Sequence, residues 1–265
     1  MYNYKLKFTK KPEADGMDAG VLVERLISYW KALYHNGQVV GGFDVFSDDG
    51  HFYLTAVLPE EDSLSDSYNN VYARERLKKL NELFEVELIR EGLNLENCYA
   101  CTCEKPSGFC LSWNHADDES PLFCEDCALP IPLYKVPYIL GDLGEHLSIV
   151  NWQNACQRMY GLWFHGSWDR FTYGELSKHN SKLNREGRKI CKALEKVLGV
   201  PVYYYLFSFH ERDKEVLTII PRGFPNGTPK ACPQCGGAWE DDGDFVKCEK
   251  CRLKAVNRGK ESDDE

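Results

Sequence analysis

Nowhere in these 265 residues do 18 apolar residues run together. A helix needs about that length to cross a bilayer, so a membrane partner is excluded on this count. The opening Met1-Tyr2-Asn3-Tyr4-Lys5 shows no apolar core and no small-residue cleavage site, so secretion is not expected. No Gly-x-Gly-x-x-Gly and no Walker loop occurs, which removes the usual phosphate cradles of nucleotide-using enzymes. The seven histidines (His35, His51, His115, His146, His165, His179 and His210) form no Ser/His, Cys/His or His-x-x-x-His pairing. Asp48-Asp49 and Asp117-Asp118-Glu119 read as turn and loop residues, so the sequence favours a non-enzymatic protein. Positive charge is also scarce, with 32 Lys and Arg against 41 Asp and Glu and a net charge of −9. A chain of that balance repels phosphate on average and cannot bind nucleic acid over its whole surface.

Cysteine, by contrast, is abundant. Twelve cysteines in a chain without a secretion signal point to metal rather than disulfides, and to the reducing cytoplasm. Cys98, Cys101, Cys103, Cys110, Cys124 and Cys127 form one group, and Cys232, Cys235, Cys248 and Cys251 another. Cys156 and Cys191 stand alone in helical surroundings and read as small buried apolar residues.

The hydrophobic pattern predicts an α+β protein. Strands are expected over 2–9, 38–46, 51–58 and 84–90, and helices over 18–36 and 65–83. Ser47-Asp48-Asp49-Gly50 supplies a hairpin turn. That order, β-α-β-β-α-β, is the ferredoxin-like pattern and is assigned to residues 1–94. A Cys-rich, zinc-binding segment follows over 95–140, then a helical region with one strand over 141–220. In that region helices are expected near 145–162, 172–178 and 181–198, and the strand at 201–209. A Pro/Gly-rich linker near 221–229 opens a C-terminal zinc ribbon assigned to 221–258, and an acidic tail closes the chain at 259–265.

The ribbon is the clearest motif. Cys232-Pro-Gln-Cys235 and Cys248-Glu-Lys-Cys251 are two Cys-x-x-Cys pairs separated by twelve residues. Each pair turns tightly enough to set two thiolates on one tetrahedral ion, and Pro233 and Gly236 suit the turn. Four thiolates fill the shell and leave no place for an activated water, so the site is structural. A module of roughly 30 residues buries little by itself, so zinc is expected to supply its folding free energy. In the middle group Cys124-Glu-Asp-Cys127 is one pair. Its partner is either Cys98-x-x-Cys101 or Cys101-x-Cys103; the second, with both side chains on one face of an extended strand, is preferred. Cys98 is then a spare thiol and Cys110 a packing residue, and two structural zinc ions are expected per chain.

One region carries a positive excess. Residues 141–225 hold 12 basic against 9 acidic residues, whereas 1–95 hold 11 against 16 and 96–140 hold 2 against 7. Within it Lys182, Arg185, Lys189, Lys192 and Lys196 recur at helical spacing and fall in a stripe about 80° wide. Lys178 extends the stripe if the helix runs unbroken through Asn180-Ser181. Leu183, Ile190, Leu194 and Val197 take the opposite side, where Gly187 would admit close approach of another backbone. Trp152, Trp163, Trp168 and Phe164 read as core first, a pocket lining second.

The succession Ser120–Tyr134 (SPLFCEDCALPIPLY), Leu183–Cys191 (LNREGRKIC), Pro201–Leu206 (PVYYYL) and the Cys-Pro-x-Cys…Cys-x-x-Cys-Arg-Leu ending resembles a bacterial family. That family groups uncharacterised Zn-ribbon-containing proteins with a conjectured nucleic-acid-binding role, and the likeness spans most of the chain. The resemblance implies Cys101, Cys103, Cys124, Cys127, Cys232, Cys235, Cys248 and Cys251 as ligands. Two functions of different kinds follow from the residues. One is an adaptor for nucleic acid or ribonucleoprotein, working through the basic stripe and the ribbon. The other is an acidic regulator, such as an immunity or inhibitor protein, that captures a basic protein partner.

Overall fold

The computed structural model describes residues 1–93, 100–114, 119–139, 141–208 and 227–257. Cys98, His115, Asp117, Asp118, His210, the linker over 221–226 and the acidic tail lie outside the described residues. The chain is α+β and divides into two compact units. The first comprises Met1–Thr102, Ala116–Ser120 and Ala128–Leu147; the second comprises Cys103–His115, Pro121–Cys127 and Ser148–Glu265.

In the first unit the elements follow the expected order: β1 (Tyr2–Lys10), α1 (Ala19–Asn36), β2 (Val45–Asp48), β3 (His51–Leu58), α2 (Val71–Leu83) and β4 (Phe84–Leu93). The strands form one sheet in the order β2-β3-β1-β4. Every pair in it is antiparallel. Strict alternation in β1 and β3 puts Leu6, Phe8, Phe52 and Leu54 on one face, where Leu22, Leu26, Leu33 and Leu80 close over them. Phe84 packs edge-on against both Phe8 and Phe52, at 5.7 and 6.0 Å between ring centres. Asp18 caps α1 by accepting from the N–H groups of Gly20 and Val21, and Gly37 ends the helix at φ 78°. The β2–β3 turn uses Asp49 and Gly50, both at positive φ, as a two-residue hairpin requires.

Two expected elements are shorter. Of 38–46 only Val45 and Phe46 lie in a strand; Val40 makes a single bridge to Val57, and the buried Gln38 side chain bonds the side chains of Asn36 and Asn69 and the Ser63 carbonyl. The helix expected from 65 begins at Val71, because the Ser63 hydroxyl bonds the backbone of Glu60 and Asn70 supplies the cap. Residues 128–147 fold onto this unit rather than with the rest of the Cys-rich segment. Tyr138 donates to the Asn36 side chain, Asn70 donates to the Gly144 carbonyl, and Lys135 pairs with Glu60 at 2.6 Å.

The second unit is built on a mixed six-stranded sheet in the order β6-β5-β7-β10-β9-β8. Its strands are β5 (Phe109–Leu111), β6 (Leu122–Cys124), β7 (Val202–Tyr205), β8 (Glu240–Asp242), β9 (Phe245–Cys248) and β10 (Leu253–Val256). β7 lies parallel to both β5 and β10, so the ribbon's three strands continue a sheet begun by the Cys-rich segment. The ribbon is therefore not an isolated module, and Leu253 and Ala255 on β10 are fully buried. Three helices complete the unit: α3 (Leu147–Phe164), α4 (Asp169–Ser177) and α5 (Lys182–Leu198). Trp152 and Trp163 are buried as expected, but Phe164 and Trp168 are exposed, because Trp168 sits at a left-handed turn before α4. Cys156 and Cys191 are buried.

Candidate metal centres and the basic helix

Each end of the ribbon turns in the same way. Gly236 follows Cys235 with φ 69° and donates to the Cys232 carbonyl, while Gly237 accepts from the Cys232 N–H. In the second pair Cys251 N–H donates to Cys248, and Arg252 takes φ 52°. Ala128, after Cys127 of the middle group, has φ 57°. A left-handed conformation costs a non-glycine residue roughly 1–2 kcal/mol. Its recurrence after Cys127, Cys235 and Cys251, the second cysteines of the three fully described Cys-x-x-Cys pairs, bends the chain so that both thiols aim at one point.

The sulfurs converge accordingly. Cys232, Cys235, Cys248 and Cys251 have all four Sγ atoms within 4.8 Å of one another, and so do Cys101, Cys103, Cys124 and Cys127. Cys235 and Cys248 stand 3.7 Å apart. Four sulfurs held at about 2.3 Å from one tetrahedral zinc lie about 3.8 Å from each other. No disulfide joins any two of the eleven described cysteines. The two groups thus fit a tetrahedral metal ion in donor type, number and spacing. Within each group two cysteines are buried, one is intermediate and one exposed. The N–H of Gly237 beside its sulfur pulls the Cys235 thiol down to about 7, whereas burial raises the Cys248 and Cys251 thiols beside it, so one thiol of the four gives up its proton most readily.

The middle group brings together the Cys101-x-Cys103 pair preferred above; the alternative ligand, Cys98, lies outside the described residues. Cys124 ends β6, opposite Phe109, and the Asp126 carboxylate between the two cysteines accepts from the Ser107 backbone at 2.8 Å. Cys110 is buried on β5, and loss of solvent pushes its thiol up to about 12, as befits a packing residue.

The ribbon is tied to the sheet by an ionic network that the sequence did not signal. Lys254 on β10 reaches the Glu125 carboxylate at 3.0 Å and Asp242 at 2.9 Å; Lys254 and Glu125 are little exposed and Asp242 is half-buried. The Tyr203 hydroxyl donates to Glu249, which also pairs with Arg252 and Lys247. These partners lie up to 129 positions apart, so no local pattern could reveal them.

The basic stripe is a real surface of α5. Lys182, Arg185, Lys189, Lys192 and Lys196 are all exposed, and Asn184, Gly187, Ile190, Cys191 and Leu194 are buried on the other side. Lys189 pairs with Glu186 at 2.8 Å, while the other four make no ion pair among the described residues. Three details differ from expectation. Ser181 caps α5, so the helix is broken there and Lys178 does not extend the stripe. Val197 is 40% exposed rather than packed. At Gly187 the close neighbours are side chains, Tyr204 and Trp152, not another backbone.

A cleft of about 670 Å³ opens beside the stripe, between α5 and the ribbon's two cysteine turns. Arg188, Lys192 and Lys196 line it from the helix, and Gln234, Lys250 and Arg252 from the ribbon.

Residues 103–207 match a family model described as a domain of unknown function, DUF2310, and residues 1–89 match another, DUF8589. The similar sequences are uncharacterised bacterial proteins. One protein of Haemophilus influenzae is 28% identical over 253 residues, covering 88% of each chain. A second from the same organism is 27% identical over 212 residues, covering 76% of this chain and 93% of its own. Neither family description names a zinc ribbon. Among solved structures, an antibiotic biosynthesis monooxygenase aligns with a TM-score of 0.25 at 16% identity, over 34% of this chain and 95% of that one. Rv0793 from Mycobacterium tuberculosis aligns at 0.27 and 13%, over 33% and 89%. These two overlaps are confined to about a third of this chain.

Proposed function

We propose that this chain is a non-enzymatic binding protein, held together by two structural zinc ions and working in the cytoplasm as an adaptor for nucleic acid or ribonucleoprotein. The observation that carries the reading is the outer face of α5. Four of its five cations make no close ion pair among the described residues, and the one carboxylate that shares the face, Glu186, is taken by Lys189 and only neighbours Lys182 and Arg185, although the protein as a whole is acidic. Cations left unpaired on one face attract phosphate, and counterion release from that phosphate favours the complex. The two four-cysteine groups supply rigidity rather than chemistry, since four thiolates leave a zinc ion no open position.

The acidic-regulator reading has weaker support. Several acidic residues of the first unit are already met by neighbouring bases, in the pairs Lys5–Glu91, Lys7–Glu87, Arg90–Glu61 and Lys135–Glu60. Those pairs weaken the pull of the four carboxylates on a cationic partner, while the 11 basic and 16 acidic residues of 1–95 keep the region net negative.

Filter binding of mixed RNA and DNA at 50 mM salt tests the proposal. The wild type is expected to retain nucleic acid at micromolar protein. Reversing Arg185 and Lys189 to Glu is expected to abolish retention with little change in melting temperature, since both are exposed. Each phosphate contact removed lowers the magnitude of the salt slope by roughly 0.7–0.9. No retention by the wild type would sink the adaptor and leave the protein-binding regulator in front.

A further inference from the structure

The geometry points to the cleft between α5 and the ribbon as the seat of a single-stranded phosphodiester chain, with the ribbon's Lys250 as a phosphate contact equal in weight to Lys192 on the helix. This deepens the nucleic-acid reading and rests on it.

The charge on the two walls carries the inference. Lys192 and Lys196 project from α5, and Lys250 from the Glu249-Lys250 dipeptide between the two cysteines of the second turn. All three are exposed and make no ion pair among the described residues. The two carboxylates that also line the cleft are already engaged. Glu249 pairs with Arg252 and accepts from the Tyr203 hydroxyl, and Glu195 lies 3.5 Å from the Arg252 guanidinium. Arg252 is thus neutralised, and Lys192, Lys196 and Lys250 line the cleft without an ion pair to either carboxylate.

Shape narrows the ligand. At about 670 Å³ the cleft falls within the roughly 300–1,000 Å³ of sites that enclose small ligands. One strand can bend its phosphates into such a hollow, whereas the stiff convex surface of a duplex cannot. Among the described residues no aromatic side chain lines the cleft, so they offer bases no platform to stack on. The strand is held by its phosphates and read without sequence preference, then continues along α5 past Lys189 and Arg185 to Lys182. From Lys196 to Lys182 the helix rises through 14 residue steps, about 21 Å.

Fluorescence anisotropy with a labelled 12-nucleotide oligo-U and a labelled 12-base-pair duplex provides the test, titrated from 50 to 200 mM salt. The expected results are tighter binding of the single strand and equal effects of Lys192→Ala and Lys250→Ala. Each should lower the salt slope by about 0.7, so that the affinity lost across that range shrinks about 2.6-fold. Lys78→Ala, an exposed lysine of the first unit, should change nothing. Zinc content of the Lys250 variant is measured alongside and should equal that of the wild type, which separates a lost contact from a lost ribbon. If the wild type binds and Arg185→Glu/Lys189→Glu abolishes binding while Lys250→Ala leaves the slope unchanged, the cleft is overturned and the helix-face reading stands. A duplex bound more tightly than the single strand also overturns it. If the wild type binds neither probe, the nucleic-acid reading itself falls.

Discussion

The position of α5 hangs on Gly187, and replacing it by alanine gives a sharp test. On an exposed helix interior, glycine to alanine is stabilising by about 1 kcal/mol, since alanine is the better helix former. Here the added Cβ would stand 2.1 Å from Tyr204 Cε2 and 2.7 Å from Trp152 Nε1. Ordinary contact begins near 3.4 Å, so about 1.3 Å of separation must be found. Tyr204 cannot yield it. The ring is 1% exposed on a strand flanked by two others, and its hydroxyl donates to Asn184, whose amide holds the carbonyls of Leu176 and Lys178. Trp152 is 4% exposed and meets Tyr204 edge-on. Overpacking between rigid groups costs about 1–3 kcal/mol or somewhat more. Taking the upper part and subtracting the gain in propensity leaves Gly187→Ala destabilised by about 2 kcal/mol. At about 2–4 °C per kcal/mol for a chain of this size, its melting temperature drops by about 4–8 °C. Gly161→Ala on α3 is the control, because nothing lies within 4 Å of its added Cβ; it should be more stable than the wild type. Scanning calorimetry of both variants reads the two opposite signs. A Gly187 variant as stable as the Gly161 variant would refute the packing assigned to α5.

Elemental analysis should find two zinc ions per chain, with Cys127→Ala retaining only the ribbon's ion and Cys98→Ser retaining both. Loss of one ion in the Cys98 variant would instead make Cys98-x-x-Cys101 the pair. Lys254→Met leaves the little-exposed Glu125 without its cation and Asp242 with only Lys247 at 3.5 Å, so it should cost about 2 kcal/mol in urea unfolding; a cost under about 0.5 kcal/mol would count against the network. Burial holds His146 down at about 4, with the Leu133 backbone opposing only in part. The unfolded chain therefore binds the proton first, and the contribution of a neutral His146 is complete above about pH 6.5 and falls away toward pH 4. The loss is about 3 kcal/mol at about 1.4 kcal/mol per unit. Since His146→Phe removes this titration alone, the difference between its urea midpoints and the wild type's across pH 7 to 4.5 isolates it from protonation of the cysteines; parallel curves would refute the assignment.

What the sequence determined by itself was whatever depends on near neighbours. The period-two alternation of β1 and β3, the helical spacing of α1 and α5, the Asp-Gly hairpin and the Cys-x-x-Cys turns are all local, because backbone geometry repeats every two or 3.6 residues. The eight converging cysteines could be proposed from spacing for the same reason, since a turn of four residues sets two sulfurs side by side. Tertiary structure alone decided the rest. Parallel pairing of β7 with both β5 and β10 made one sheet of the Cys-rich segment and the ribbon, and a parallel partner leaves no turn signal in the sequence. Asn184 and Tyr204 locked the helix against that sheet through bonds between residues 20 positions apart. The cleft with cations on two walls arose only when Lys192 and Lys250, 58 positions apart in the chain, were carried to one place by the burial of Gly187 and Leu253 beneath them. Side chains converge there because apolar faces must leave water together, and the sequence records which faces are apolar but not which two will meet.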